Sequence, residues 1–305
     1  MTNKNFDQCT SFHIDGGAFL GRFVRLDAAL DNILGRHKYP KQVGAVVAEC
    51  AALAVLLSSS MKYEGLFTLQ TQSDGPVSMV VVDVTSDGDV RAYAKFDEER
   101  INRAKEIRKT TGEIEAAPHF LGNGHLAFTI DQGKGTDLYQ GVVDIQGKTL
   151  SEVALRYFAQ SEQIETYIKL YLEEPKNNDD AWKAAGLMLQ KTPAFGGKTD
   201  KNLNLDDAWY EALVFAESLK DKEVFDAGLD SENILNRLYH ANKLVISGVK
   251  NYKFACRCSR DKLLNTLSSF EKKDIDEMAD KGKIAITCNF CSEQYIFNRG
   301  ELIKH

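Results

Sequence analysis

The residues in this chain best equipped for chemistry are its six cysteines, four of which form two tight pairs near the C-terminus. Cys256-Arg257-Cys258 is followed, after 29 intervening residues, by Cys288-Asn289-Phe290-Cys291. Two short-spaced pairs can bring four thiolates onto one ion, and zinc takes such sets tetrahedrally, with Zn–S near 2.3 Å. Four thiolates close the coordination sphere, which leaves no open position for a catalytic metal. The expectation is one Zn2+ per chain on Cys256, Cys258, Cys288 and Cys291, weighed against four unligated thiols. The C-x-C pair is tighter than the C-x2-C or wider spacing of structural zinc ribbons. Oxidised, it would close a strained ring, and strained disulfides are the labile, regulatory kind. Arg257 and Arg260, beside the first pair, favour thiolate over thiol. The residues therefore allow a redox switch without requiring one.

These cysteines need elements to hold them. Leu263, Leu264, Leu267 and Phe270 share one helical face after the first pair. Asp274 to Met278 reads as a second helix, which Gly282 can terminate. Ile284–Thr287 and Gln294–Phe297 are strand-like and flank the second pair, which places it at a hairpin knuckle. A fifty-residue module, 256–305, has little core of its own, and a metal would supply the deficit.

Upstream, turn chemistry spells out a meander. Leu66–Gln72 alternates apolar and polar residues, Ser73-Asp74-Gly75-Pro76 turns, Val77–Val84 resumes, and Asp87-Gly88 turns again before Val90–Ala94. His125–Asp131 and Tyr139–Ile145 read as two further strands. Pro40–Ser60 is an apolar-rich helix, and Leu150–Leu172 reads as one amphipathic helix. Clustered strands with helices before and after give an α+β class: a mixed N-terminal domain over 1–192, a helical metastable linker over 193–255 and a zinc module over 256–305. Residues 173–230 carry 13 Asp and Glu against 7 Lys and Arg, together with Gly and Pro breaks, and read as loosely packed. Both tryptophans, Trp182 and Trp209, fall within them. Ser231–Ile246 is a better helix with Ser231 as N-cap.

Composition narrows the function further. The 305 residues are 43% hydrophobic and 27% charged, which excludes fibrous and wholly disordered classes. A net charge of −6 argues against a nucleic-acid or anionic-membrane binder. The most apolar run, Cys50–Leu57, is too short to span a bilayer, and no secretory signal opens the chain, so a cytoplasmic protein is expected. In that compartment clustered cysteines read first as metal or redox sites. Gly197-Lys198-Thr199 lacks the earlier glycine of a phosphate loop, and Asp83–Asp89 lacks the closing acid of a calcium loop. His13, His37, His119, His125, His240 and His305 are scattered, with no Ser/His/Asp set, so no enzyme is expected. Cys50 reads as an inert core thiol and Cys9 as an exposed one.

The two cysteine motifs, CRCSRD (256–261) and CNFCSEQYIF (288–297), resemble those of the redox-regulated bacterial holdase chaperones of the heat shock protein 33 type. The resemblance extends through Tyr39-Pro40, KYEGLFTLQTQSDGPV (62–77), VRAYA (90–94), YQGVV (139–143), YFAQSEQIETYI (157–168), AAGLMLQKTP (184–193) and LNRLYHANKL (235–244). It covers nearly the whole chain. Cys9 and Cys50 are additions to the pattern, and the stretch around Phe195–Asp206 looks enlarged. The resemblance implies an ATP-independent chaperone. The reduced form holds zinc on the four cysteines and is inactive, with its folded module packed on the linker. Oxidation makes Cys256–Cys258 and Cys288–Cys291 disulfides, releases zinc and unfolds the linker. The implied partners are unfolding client proteins and, when oxidised, a second copy of the chain, with no nucleic acid and no membrane. Two other functions compete: a zinc-ribbon adaptor for RNA or a translation or transcription partner, and an enzyme with an unrecognised site. Residues 256–305 carry a net charge of only +1, low for a nucleic-acid module.

Overall fold

The structure is a computed structural model, and it describes residues 6–111, 117–133, 135–177, 180–192 and 204–302. The Gly197-Lys198-Thr199 triplet lies outside the described residues. The chain divides into two compact units, Met1–Phe254 and Ala255–His305.

In the first unit the chain runs β1 (Gln8–Ile14), β2 (Phe19–Leu26), α1 (Ala28–Leu34), α2 (Lys41–Ser60), β3 (Leu66–Ser73), β4 (Val77–Thr85) and β5 (Asp89–Phe96). It continues through α3 (Glu98–Thr111), α4 (Ala117–Leu121), β6 (Gly124–Asp131), β7 (Tyr139–Asp144), α5 (Leu150–Tyr157), β8 (Thr166–Glu173) and β9 (Lys183–Lys191). Then come α6 (Leu205–Ser218), α7 (Asp221–Val224), α8 (Ser231–Tyr239), β10 (Val245–Asn251) and β11 (Lys253–Phe254). One sheet has the order β10-β1-β2-β9-β8, and the other β11-β5-β4-β3-β6-β7. All these pairings are antiparallel except β11 with β5.

Helix α2 packs against strands of both sheets. Residues all round it, from Val43 to Ser58, are buried, as a helix apolar on every side must be. By length and hydropathy α2 could cross a membrane, contrary to the expectation from its eight-residue run, because alanines and valines extend the apolar stretch on the N-terminal side. It is nonetheless a core helix, with 78% of that window buried inside the protein.

A second core lies on the other face of the five-stranded sheet. There Phe12, Phe19, Phe23, Leu187 and Leu189 meet Ala208, Ala212 and Ala216 of α6 and Ile234, Leu235 and Tyr239 of α8. Small residues on α6 let the helix approach the sheet closely, and the Trp209 ring sits 5.2 Å from Phe19. The connection between α7 and α8 is anchored from β2. Arg25, fully buried, donates to the carbonyls of Leu229 at 2.6 Å and Asp226 at 2.8 Å, and its guanidinium lies over the Phe6 ring.

Several local expectations change. The helix expected over 150–172 stops at Tyr157; a π turn, Phe158–Glu162, and left-handed Gln163 (φ +54°) then lead into β8. Ile164 and Ile168 fit a helical repeat, but Thr166–Glu173 also suits a pleated strand, and pairing with β9 decides it. The helix expected over 231–246 ends at Tyr239 because Lys243 turns left-handed and Val245–Asn251 pair with β1. Its N-cap is Asp230, which accepts from Asn233 N at 2.7 Å, not Ser231. Residues 183–191 are not loosely packed: β9 lies between β2 and β8, and a Cβ on Gly186 would meet Leu56 of α2 at 2.4 Å. Trp182 packs with this first core, against Gly44, so the two tryptophans report on different cores. Cys9 is not exposed. It is a β1 residue 1% accessible, facing α2 within reach of Ser59 Oγ at 3.4 Å, and burial raises its pKa. Cys50 is a buried core thiol, as expected.

The second unit carries α9 (Arg260–Leu267), α10 (Lys272–Met278), β12 (Lys283–Thr287), β13 (Gln294–Asn298) and α11 (Arg299–Leu302). Its core is Leu267, Ile275, Ile284, Phe297 and Leu302. Phe270 lies beyond the end of α9 and is 47% exposed, because the helical face that groups it with Leu267 stops three residues earlier. Gly282 (φ +77°) shapes the turn into β12 rather than ending α10.

Candidate metal centre

The first cysteine pair sits in the extended arm just before α9. Ser259 caps that helix by accepting from Lys262 N at 3.2 Å, so Cys258 stands immediately outside the first turn. The second pair occupies the turn joining β12 to β13. Antiparallel pairing from Lys283↔Asn298 to Thr287↔Gln294 brings the strand ends together. The turn closes with Cys288 N donating to Glu293 O and Ser292 N donating to Cys288 O, each at 2.9 Å. Ser292 takes a left-handed φ of +58° there.

This arrangement brings all four sequence-derived cysteines together. Their Sγ atoms lie within 4.8 Å of one another, a set that could hold a metal ion. Cys256 Sγ is 3.4 Å from Cys258 and 3.7 Å from Cys288, and Cys258 Sγ is 3.4 Å from Cys291. A tetrahedron of thiolates around zinc has edges of about 3.8 Å, from the 2.3 Å bond length. The donor set therefore fits the metal in number, chemistry and spacing. Cys291 is buried and the other three are half-buried.

The thiols are electrostatically unequal. Burial opposes ionisation of Cys256, but hydrogen bonding to the Cys258 backbone and to the neighbouring thiols outweighs it and lowers its pKa to about 7. Burial raises Cys258 and Cys291. Arg260 does not serve the thiols as expected. It donates to Ile296 O and Glu301 at 2.6 Å each, and its guanidinium covers the Phe297 ring, tying α9 to β13.

One neighbour escaped the sequence reading. The Tyr295 hydroxyl lies 3.2 Å from Cys258 Sγ. Its position four residues beyond Cys291, on the returning strand of the hairpin, was the signal available.

Comparison with known proteins extends the likeness beyond this centre. A family model described as "Hsp33 protein" matches residues 7–298. The 33 kDa chaperonin of Caulobacter vibrioides is 36% identical over 291 residues, covering 95% of this chain and 94% of the relative. That of Pseudomonas fluorescens is 33% identical over 295 residues, covering 96% and 91%. In structure, the crystallised 33 kDa chaperonin (heat shock protein 33 homolog) of Thermotoga maritima superposes with a TM-score of 0.77 at 21% identity, covering 97% of this chain and 96% of that one. This last likeness is one of fold.

Proposed function

The chain belongs to the Hsp33 family of chaperones, and we propose that it is an ATP-independent holdase switched on by oxidation. The observation that carries this reading is the cluster of four thiols in two short-spaced pairs, held by a module whose described residues form an apolar core of five buried side chains.

In the reduced form Cys256, Cys258, Cys288 and Cys291 hold one zinc ion. Bound there, zinc cross-links the arm before α9 to the β12–β13 turn and supplies much of the module's folding energy. Each pair of thiolates gives two electrons to one peroxide, which takes two protons from the solvent and becomes two waters. The products are Cys256–Cys258 and Cys288–Cys291 disulfides, a pairing that rests on the family resemblance. Disulfide sulfurs are poor metal ligands, so the module loses its cross-link and melts.

The linker, 193–255, responds next. Its last residues, β11, end two positions before Cys256, so melting reaches β10, α8 and α6 along the chain. Detachment of these helices uncovers Phe12, Phe19, Phe23, Leu187 and Leu189 for unfolding clients. The domain over 1–192 keeps its first core apart from Tyr252 and Phe254, which the linker contributes. The oxidised protein acts in the cytoplasm as a homodimer, without catalysis.

Peroxide treatment with two simultaneous readouts tests this. Metal release, followed with a chromophoric chelator, and suppression of aggregation of a heat-unfolded test protein should rise together. A reduced protein that contains no zinc, or that suppresses aggregation as well as the oxidised one, would refute it.

A further inference from the structure

Two adjoining cavities of about 560 and 490 Å³ run beside β8 and share Leu155 and Tyr167 in their walls. Every residue from Gln163 to Leu170 lines one or the other. Consecutive strand residues point to opposite faces, so a cavity lined by an unbroken run lies along the strand's edge. β8 ends the five-stranded sheet, so its outer edge carries backbone N–H and C=O groups that β9 does not use. The five lining residues that belong to β8, Thr166–Leu170, span about 17 Å at strand rise.

The groove has two chemically distinct ends. At one end Leu155 and Ala159 face Trp209 and Leu213 of α6, with Ile164 and Tyr167 beneath. At the other, Glu49, Glu152 and Glu217 stand against Lys169 as the single cation among the lining residues. Lys169 is itself drawn to Glu217 at 3.0 Å. Burial and the neighbouring Glu174 carboxylate raise the Glu49 pKa to about 7, and Lys41, 2.8 Å from Glu174, already pairs with that neighbour. The acidic end is thus short of cations.

We propose that this groove docks an extended peptide segment as an added strand, with apolar side chains against Leu155, Trp209 and Leu213 and Lys or Arg side chains against Glu49, Glu152 and Glu217. The inference rests on the chaperone reading only for the source of the segment, an unfolded protein. Backbone pairing gives affinity whatever the sequence, and the two ends select for a segment apolar in one half and basic in the other. Because α6 forms one wall, docking and detachment of α6 oppose each other. A cation in the groove favours ionised Glu49, so binding tightens as pH rises from 6 to 8.

The test uses the reduced full-length chain and a fluorescein-labelled decapeptide with Leu in one half and Lys in the other, followed by anisotropy. Ala159→Trp fills the apolar end from an exposed position, and Glu217→Lys reverses an exposed charge. Each should weaken binding about tenfold or more, as should methylation of alternate peptide amides. Bound peptide should also protect α6 from thermolysin. No binding at millimolar peptide, equal binding of the methylated peptide, or equal binding of a Leu/Glu peptide would overturn the proposal. Aggregation suppression by the oxidised chain is measured alongside. Suppression without peptide binding removes the groove alone, whereas peptide binding without suppression removes the chaperone reading and leaves the groove standing.

Discussion

Replacing Arg25 with leucine should turn the reduced protein into a partly active holdase. Arg25 is fully buried on β2, yet it binds backbone more than 200 residues away, the carbonyls of Asp226 and Leu229. Burial lowers its pKa to about 10, so it remains a cation at neutral pH, and both contacts are charge-assisted. Leucine fills part of the volume but removes both charge-assisted hydrogen bonds, at about 1.5–3 kcal/mol each, although Asp226 O keeps Leu229 N as a donor at 3.3 Å. Taking about 3 kcal/mol for the pair, the balance between docked and detached α7–α8 shifts by about 150-fold. The α2 core contains none of these groups, so the loss falls on the second core. Thermolysin should cut reduced Arg25→Leu protein between α6 and β10 faster than wild type, and aggregation of a heat-unfolded protein should be suppressed without peroxide. Arg91→Leu, which breaks the Arg91–Asp83 pair (2.7 Å) on the other sheet, is the matched control and should destabilise without activating. If Arg25→Leu frees the helices, as proteolysis would report, while the reduced protein stays silent, then linker detachment is not the switch.

Cys288→Ser should lower metal content below one zinc per chain and expose 256–305 to protease while sparing 1–192, as mass mapping of fragments would report. Oxidation should red-shift tryptophan emission through Trp209 alone, since Trp182 sits in the first core; the shift should survive Trp182→Phe and vanish in Trp209→Phe. Glu49 holds its proton to about pH 7 in the folded chain, against an ordinary value of 4.5, so the folded state binds more protons than the unfolded one between those limits. Stability should therefore fall as pH rises from about 4.5 to 7, and Glu49→Gln should recover about 1–3 kcal/mol at pH 8 and little at pH 4, measured by urea denaturation.

What the sequence determined by itself was local. The meander β3–β5 is written in its turns, Ser73–Pro76 and Asp87-Gly88, and α2 in the apolar-rich stretch Pro40–Ser60. The four-thiol centre was legible for the same reason: each pair is set by one or two intervening residues, and the hairpin that joins β12 to β13 is only a few residues long. Tertiary structure decided whatever depends on distant partners. Residues 166–173 satisfy a helical and a pleated pattern alike, and only β9 makes them a strand. Cys9 looks free near a terminus but is buried because β10, some 240 residues later, and β2 pair on either side of it. Arg25 becomes the anchor of the α7–α8 connection only once that connection folds back across the sheet. Turn and helix signals act over a few bonds. Strand pairing and buried hydrogen bonds join segments whose separation along the chain leaves no trace in either one.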